Sequence, residues 1–393
     1  MTSKVSTITD LLTQAGAQRF LETPPPEDMG LAEHLPFPFM AIVAQQEMKL
    51  ALLLALINPT IGGVLLVGPR GTGKTTAVRS LSDLLPEVSR SHCPYGCLPE
   101  DITSGGMDAV CVDCARRYAE GDPLTYMDRV RLIELPLNAR LEDVVGGIDE
   151  RAAVQKRLRL KRGILARADK NILYVDEVNL LDDDLVNAVL DASAQGTYTL
   201  HRGTLSSTYR ARFVLIGSMN PEEGRLRPQI LDRFGLRLVV RGLDDPEERY
   251  EAYRRSIAHR HNPRQVIADY EKVVEQVREE LQSARAALPG VELTDEAQEF
   301  GLHLIDDLGI HSLRAEITLF EAARAHAVAD GRESAGVDDV KQIAQMALRL
   351  RRSVFIDDYL SSQIDEEEEI SRLLTRHSKA GKPKREKSKA KKP

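Results

Sequence analysis

The sequence predicts an α/β fold with a parallel sheet, followed by an all-helical second domain, and three observations predict it. Short, wholly apolar runs recur at Val64–Val67, Ile172–Val175 and Phe213–Ile216, with helical spacing between them, as at Asp183–Ala192. Strands buried on both faces read as unbroken apolar runs, and their alternation with helices marks a parallel sheet. The first run enters a glycine-rich turn and then a helical stretch, Lys74–Leu85, while after Val240 such runs stop.

Length and composition agree. The 393 residues fit about two domains of ~100–200 residues, and 42% apolar with 29% charged residues suits a globular core. Fifty-three basic against 60 acidic residues give a net charge of −7, which speaks against a general nucleic-acid binder. The longest apolar run, Leu50–Ile57, is far short of the ~20 residues of a membrane span. Met1–Asp10 lacks the basic and apolar regions of a secretory signal. A soluble, intracellular protein is expected.

In chain order, residues 1–35 form a lead-in closed by the prolines of Thr23–Pro26, which disfavour helix. An α/β domain follows over 36–241. It opens with an apolar helix at Gln45–Asn58, stopped by Pro59. Thr197–Arg210 is polar, β-branched and broken at Arg202-Gly203, so it reads as an inserted hairpin. Residues 242–357 are helical, at Pro246–His259, Val266–Ala287, Asp295–Leu308, Leu313–Ala329 and Asp338–Leu350, with Pro263 and Pro289-Gly290 as breaks. Residues 358–393 segregate charge: Asp365–Glu369 is wholly acidic and Lys379–Lys392 is rich in lysine. Such a tail buries too little apolar surface to fold alone, and a basic arm for an acidic partner is the alternative.

The glycine-rich turn is Gly68-Pro69-Arg70-Gly71-Thr72-Gly73-Lys74-Thr75. It fits G-x-x-x-x-G-K-[ST], in which backbone N–H groups curl around a phosphate, Lys74 reaches the β/γ-phosphates and Thr75 ligates Mg²⁺. Strand Ile172–Val175 delivers Asp176 and Glu177 at its end. Asp176 is placed beside Mg²⁺ and Glu177 positions the attacking water, although such a pair also starts helices. Asn220, ending the next strand before Pro221, could hold the water or γ-phosphate; Asn-Pro is also an ordinary turn. Arg233, in Leu231-Asp232-Arg233-Phe234, could reach a neighbouring subunit's nucleotide as an arginine finger or form a surface salt bridge.

Cys93, Cys97, Cys111 and Cys114 are the four cysteines of the chain, spaced C-x₃-C-x₁₃-C-x₂-C within an insert at 93–114. Two close pairs suit tetrahedral Zn²⁺; a redox-active thiol pair and no special role are the alternatives. His92 could substitute as a ligand, or be a loop histidine.

Taken in order, phosphate loop, Asp-Glu strand, Asn220, Leu231–Phe234 and helical domain resemble an AAA+ P-loop ATPase with a helical lid. Gly217-Ser218-Met219-Asn220-Pro221-Glu222-Glu223-Gly224 and Leu226–Leu236 are similar to the ATPase I subunit family of magnesium chelatase. Gly163–Ala168, Val178–Leu181, Leu313–Leu319 and Pro36–Phe39 also match. The resemblance covers residues 36–355.

It implies an ATP-hydrolysing motor in a hexameric ring. The motor works with a second AAA+-derived subunit and a large porphyrin-binding subunit, which receives Mg²⁺ into protoporphyrin IX for chlorophyll or bacteriochlorophyll synthesis. It further implies Arg233 acting in trans, and Arg314 contacting the γ-phosphate of its own subunit. The hairpin at 197–210 and an insert at 141–156 match the family's β-hairpin additions. The expected location is cytoplasmic, or the plastid stroma in a photosynthetic eukaryote, with no transit peptide evident. The cysteine quartet departs from many members. Alternatives sharing the motor are a cobaltochelatase-type ATPase for corrinoid synthesis and a MoxR-like remodelling chaperone. A DNA-directed AAA+ protein is discouraged by the acidic charge.

Overall fold

The computed structural model describes residues 35–351 apart from 86, 149–159, 204 and 225. Residues 1–34 of the expected lead-in and the charged tail thus lie outside the described residues, as do residues 149–156 of the insert at 141–156.

Helix α1 (Gln46–Ile57) precedes strand β1 (Val64–Val67) and helix α2 (Lys74–Ser80). The insert follows: β2 (Glu87–Ser91), α3 (Pro99–Gly105), α4 (Val112–Ala119) and β3 (Thr125–Arg129), with β2 and β3 antiparallel. Next come β4 (Leu132–Leu135), α5 (Leu141–Val145), the antiparallel β5 (Gly146–Ile148) and β6 (Leu160–Arg162), and α6 (Ile164–Ala168). Strand β7 (Ile172–Val175) and α7 (Asp183–Gln195) lead to the expected hairpin, β8 (Thr197–Arg202) and β9 (Leu205–Arg210). Then follow β10 (Val214–Met219), α8 (Pro228–Arg233) and β11 (Leu236–Val239).

Five strands form one parallel sheet in the order β11-β1-β10-β7-β4. Successive strand residues point to opposite faces, so β1 feeds two cores. Val64 and Leu66 pack with α1 and the later helices, while Leu65 and Val67 pack with Val186, Val189 and Leu190 of α7. Burial on both faces explains why this run carries no polar residue.

Helices take over after β11. These are α9 (Pro246–His261), α10 (Pro263–Ala287), α11 (Asp295–Asp307), α12 (Leu313–Ala329) and α13 (Val337–Leu348), with a two-residue parallel pair, β12 (Glu292–Leu293) and β13 (Ser334–Ala335). The first three starts have a local cause. The side chains of Asp245, Asn262 and Thr294 accept from backbone N–H groups in the first turns, and Pro246 and Pro263 occupy first-turn positions. In α10 the buried residues Val266, Tyr270 and Val274 recur every fourth position. Leu319 and Ala323 of α12 and Ile343 of α13 share one core with Leu52 of α1 and Leu66 of β1, so these helices rest on the same sheet face. Among the described residues no helix is long and apolar enough to cross a membrane.

Close backbone approach fixes the sheet beside the site. A Cβ on Gly235 would stand 1.8 Å from the Ile61 carbonyl oxygen, which as backbone has no room to yield. Gly235→Ala is expected to cost about 2–3 kcal/mol through overpacking, read as a lowered urea midpoint. An unchanged midpoint would refute this packing.

Candidate active site

The phosphate loop joins β1 to α2. Gly71 and Gly73 have φ of +79° and +84°, a region where a Cβ is strained, although space around both is open. Gly68 is needed for a different reason: a Cβ there would lie 2.1 Å from the Val240 carbonyl oxygen on the neighbouring strand's end. Lys74 is 9% exposed, and its ammonium donates to the carbonyls of Gly68 at 2.7 Å and Pro69 at 2.8 Å. Burial lowers its pKa, countered by the nearby carboxylates of Asp176, Glu177 and Glu223.

Strand pairing brings the remaining groups to the same edge. The register Val67↔Met219 and Val175↔Gly217 aligns the carboxyl ends of β1, β10 and β7. Asp176 there accepts from Thr75 Oγ1 at 3.3 Å, from Tyr174 Oη at 2.7 Å and from Ser218 Oγ. The hydroxyl–carboxylate pair expected for Mg²⁺ is therefore assembled. Sequence reasoning did not single out Tyr174 or Ser218, which orient the carboxylate from the same strand and from the neighbouring one. Burial, chiefly, pushes the Tyr174 phenol up, so it stays a donor.

Glu177 carries a φ of +52°, unusual for a residue with a Cβ, and its backbone N–H donates to Ser218 Oγ at 3.1 Å. Strain of this kind is held in place by surrounding structure and clusters at functional sites. Its carboxylate lies 3.6 Å from Arg70, which also pairs with Glu223. Asn220 is 4% exposed; its amide donates to Glu223 at 3.3 Å and its carbonyl accepts from the Glu222 N–H at 3.3 Å. A cavity of about 300 Å³ is lined by Arg70–Thr76, Asp176, Glu177 and Ser218–Asn220.

Arg233 and Arg314 are elsewhere. Arg233 ends α8 and pairs with Asp191 of α7; Arg314, in the first turn of α12, lies 3.4 Å from Asp232. Both line a larger cavity of about 920 Å³ together with Gly62, Gly63, Ile172 and Val214, at the amino ends of the strands. The five residue steps from Gly63 to Gly68 span ~16 Å at ~3.3 Å each, more than an arginine side chain bridges. The implied contact of Arg314 with its own subunit's γ-phosphate is thereby corrected. The docking of α12 on the sheet's amino-terminal edge sets it beside Arg233 instead. Asp232 anchors this face, accepting also from Arg351 at 3.0 Å and Ser312 at 3.2 Å.

The cysteines converge outside the phosphate cavity. Burial would raise the Cys93 thiol, but hydrogen bonds from Ser91 and nearby backbone N–H groups bring it down to about 7.

A phosphate loop, an Asp-Glu strand end and a buried asparagine on one sheet edge, with a helical domain after the last strand, define an AAA+ ATPase. The chain matches the AAA domain family over residues 60–223 and the AAA lid domain family over residues 303–373. It is 41% identical to a magnesium-chelatase subunit ChlI homolog of Methanocaldococcus jannaschii, covering 83% of this chain and 89% of that protein. It is 40% identical to the magnesium-chelatase 38 kDa subunit of Acidiphilium rubrum, over 84% of this chain and 95% of that one. A solved structure of a candidate ATPase from Cytophaga hutchinsonii, 18% identical with a TM-score of 0.51 over 80% of this chain and 84% of its own, shares the fold. The chain belongs to the family of magnesium-chelatase ATPase subunits of the ChlI type.

Proposed function

We propose that this chain is the ATP-hydrolysing motor of a magnesium chelatase, driving insertion of Mg²⁺ into protoporphyrin IX on a partner subunit. The observation that carries this reading is an intact hydrolytic edge in a chain about 40% identical to magnesium-chelatase subunits along most of its length. The residues present fit ATP with Mg²⁺: an open glycine cradle, a buried ammonium, and a hydroxyl–carboxylate pair held by two further hydroxyls. Bound ATP–Mg²⁺ would supply the transferable phosphoryl group and neutralise its charge.

Around it, Lys74 and the Gly71–Gly73 backbone hold the phosphates, and Thr75 and Asp176 hold the metal. Glu177 orients a water and takes its proton, while Asn220 fixes that water from the neighbouring strand. Arg233 and Arg314 face away from their own phosphate edge, so both complete the site of an adjacent subunit in a ring, which the resemblance implies to be hexameric. The same resemblance supplies the partners: a second AAA+-derived subunit and a large porphyrin-binding subunit, serving chlorophyll or bacteriochlorophyll synthesis. The cysteine quartet lines no part of the phosphate cavity, so a Zn²⁺ ion there would serve the insert and not hydrolysis.

The test is ATP turnover by the purified chain, alone and with candidate partners, Mg²⁺ and protoporphyrin IX, followed by porphyrin fluorescence. An ATP-dependent shift to the magnesium form is expected. Lys74→Ala is expected to weaken ATP binding roughly 10- to 100-fold and to stop metallation. Turnover without metallation would favour the cobalt or chaperone alternatives, and normal hydrolysis by Lys74→Ala would overturn the site.

A further inference from the structure

The insert between β2 and β3 takes no part in the phosphate cavity, yet it gathers all four cysteines of the chain. Cys93 and Cys97 flank the turn after β2; Cys111 precedes α4 and Cys114 lies within it. Their Sγ atoms all lie within 4.8 Å of one another, although thirteen residues separate the two pairs. All four are free thiols. A single Zn²⁺ with Zn–S near 2.3 Å needs sulfurs about 3.8 Å apart, so the quartet is already close to a one-metal tetrahedron. A cluster of several irons would hold its thiolates farther apart, because metals and bridging sulfides lie between them.

Two further observations point the same way. The Cys97 N–H donates to Cys93 Sγ at 3.3 Å, the Cys111 N–H to Cys97 Sγ at 3.4 Å, and Ser91 Oγ to Cys93 Sγ at 3.3 Å. Donors aimed at sulfur stabilise the thiolate, the form that binds metal. The insert also lacks an apolar core of its own. Helix α3 buries no residue and α4 buries Cys114 alone; the buried set is Cys97, Cys114 and Leu124. So small a core does not hold ~30 residues folded without a disulfide or a metal.

This insert braces the hairpin β8–β9. Tyr95, between Cys93 and Cys97, stacks on Tyr209 of β9 with ring centroids 5.5 Å apart, and Tyr209 stacks on Tyr198 of β8. Asp101 of α3 pairs with Arg210 at 2.5 Å, both mostly buried. The Arg210 stem lies over Gly96, where a Cβ would meet it at 3.0 Å.

We propose that Cys93, Cys97, Cys111 and Cys114 bind one structural Zn²⁺ ion, and that this ion, by folding the insert, fixes the β8–β9 hairpin. The assignment stands apart from the ATPase reading, since metal content and hairpin order are measured without nucleotide.

The experiment uses the full chain purified under reducing conditions with zinc available. About one zinc per chain is expected by mass spectrometry of the metal, and Co²⁺ exchanged into the site should show thiolate charge-transfer and tetrahedral bands. The double variant Cys97→Ser, Cys114→Ser should lose both signals; were it not to fold, stoichiometry and cobalt spectrum of the unaltered chain still decide. Stripping the metal should speed amide exchange at least ~10-fold across residues 93–124 and 197–210 and leave β1 and β10 unchanged. A metal-free chain with four reactive thiols, iron in place of zinc, or two disulfides would overturn the zinc site. Zinc whose removal left hairpin exchange unchanged would overturn the bracing.

Discussion

Arg233→Ala is expected to lower ATP turnover by roughly 10³-fold or more while nucleotide binding stays near normal. The asymmetry follows from position. Arg233 lines the cavity at the amino ends of the strands and contributes nothing to the phosphate cavity of its own chain. In the ring we propose, its guanidinium, paired with Asp191, would meet a phosphate brought by an adjacent subunit. Nucleotide affinity measured by titration and turnover measured by phosphate release should therefore separate in this variant. Parallel loss of both would place the arginine in a structural role instead. Arg314→Ala should show the same separation, because Asp232 holds Arg314 on the same face.

A second large effect is expected at Glu177. Glu177→Gln keeps the shape and removes the proposed base, so turnover should fall by about 10²- to 10⁴-fold while ATP accumulates on the protein unhydrolysed. Trapped ATP is the diagnostic, recovered intact from the protein after gel filtration. The strained backbone at Glu177, φ +52° and tethered to Ser218, should persist in Gln, which preserves folding as a control. Near-normal turnover would move the base elsewhere.

How far these residues could be read from the chain depends on where their positions are decided. The phosphate loop was legible because its requirements are local. Gly71 and Gly73 need positive φ, and Lys74-Thr75 must follow directly at the helix start. Asp176, Glu177 and Asn220 were legible because each follows the end of a strand with an apolar run, and a parallel sheet carries such ends to one edge. The helices of the second half were legible from their apolar spacing and from the breaks at Pro263 and Pro289-Gly290, while the caps at Asn262 and Thr294 that fix two of their starts emerge from the structure.

Other features depend on register or docking, which neighbouring residues do not encode. Ser218 meets Asp176 only because β10 pairs with β7. Strand β11 was not anticipated because Arg237 interrupts its apolar run; that arginine is nonetheless buried, donating to the Leu350 carbonyl at 2.6 Å. Burial, and then the neighbouring Arg351, brings Arg237 down to about 9. Edge strand β4 escaped notice for a related reason, since Glu134 breaks its pattern to pair with Arg79. Arg314 shows the limit most plainly. Its place in the order of motifs points to its own phosphate, but the packing of α12 against the sheet's amino-terminal edge places it on the opposite side. Spacing likewise marks the cysteines as two pairs, and only the folded insert brings the pairs together.

The measurement that bears most directly on this account is ATP turnover in mixtures of Lys74→Ala and Arg233→Ala chains. Alone, the first lacks its phosphate grip and the second lacks the arginine its neighbours need, so each should be nearly inactive. Mixed, an Arg233→Ala chain retains a whole phosphate loop and can receive Arg233 from an adjacent Lys74→Ala chain, so turnover should rise well above either component. A mixture as inactive as its parts, with co-assembly confirmed by pull-down of differently tagged chains, would contradict a site shared between subunits.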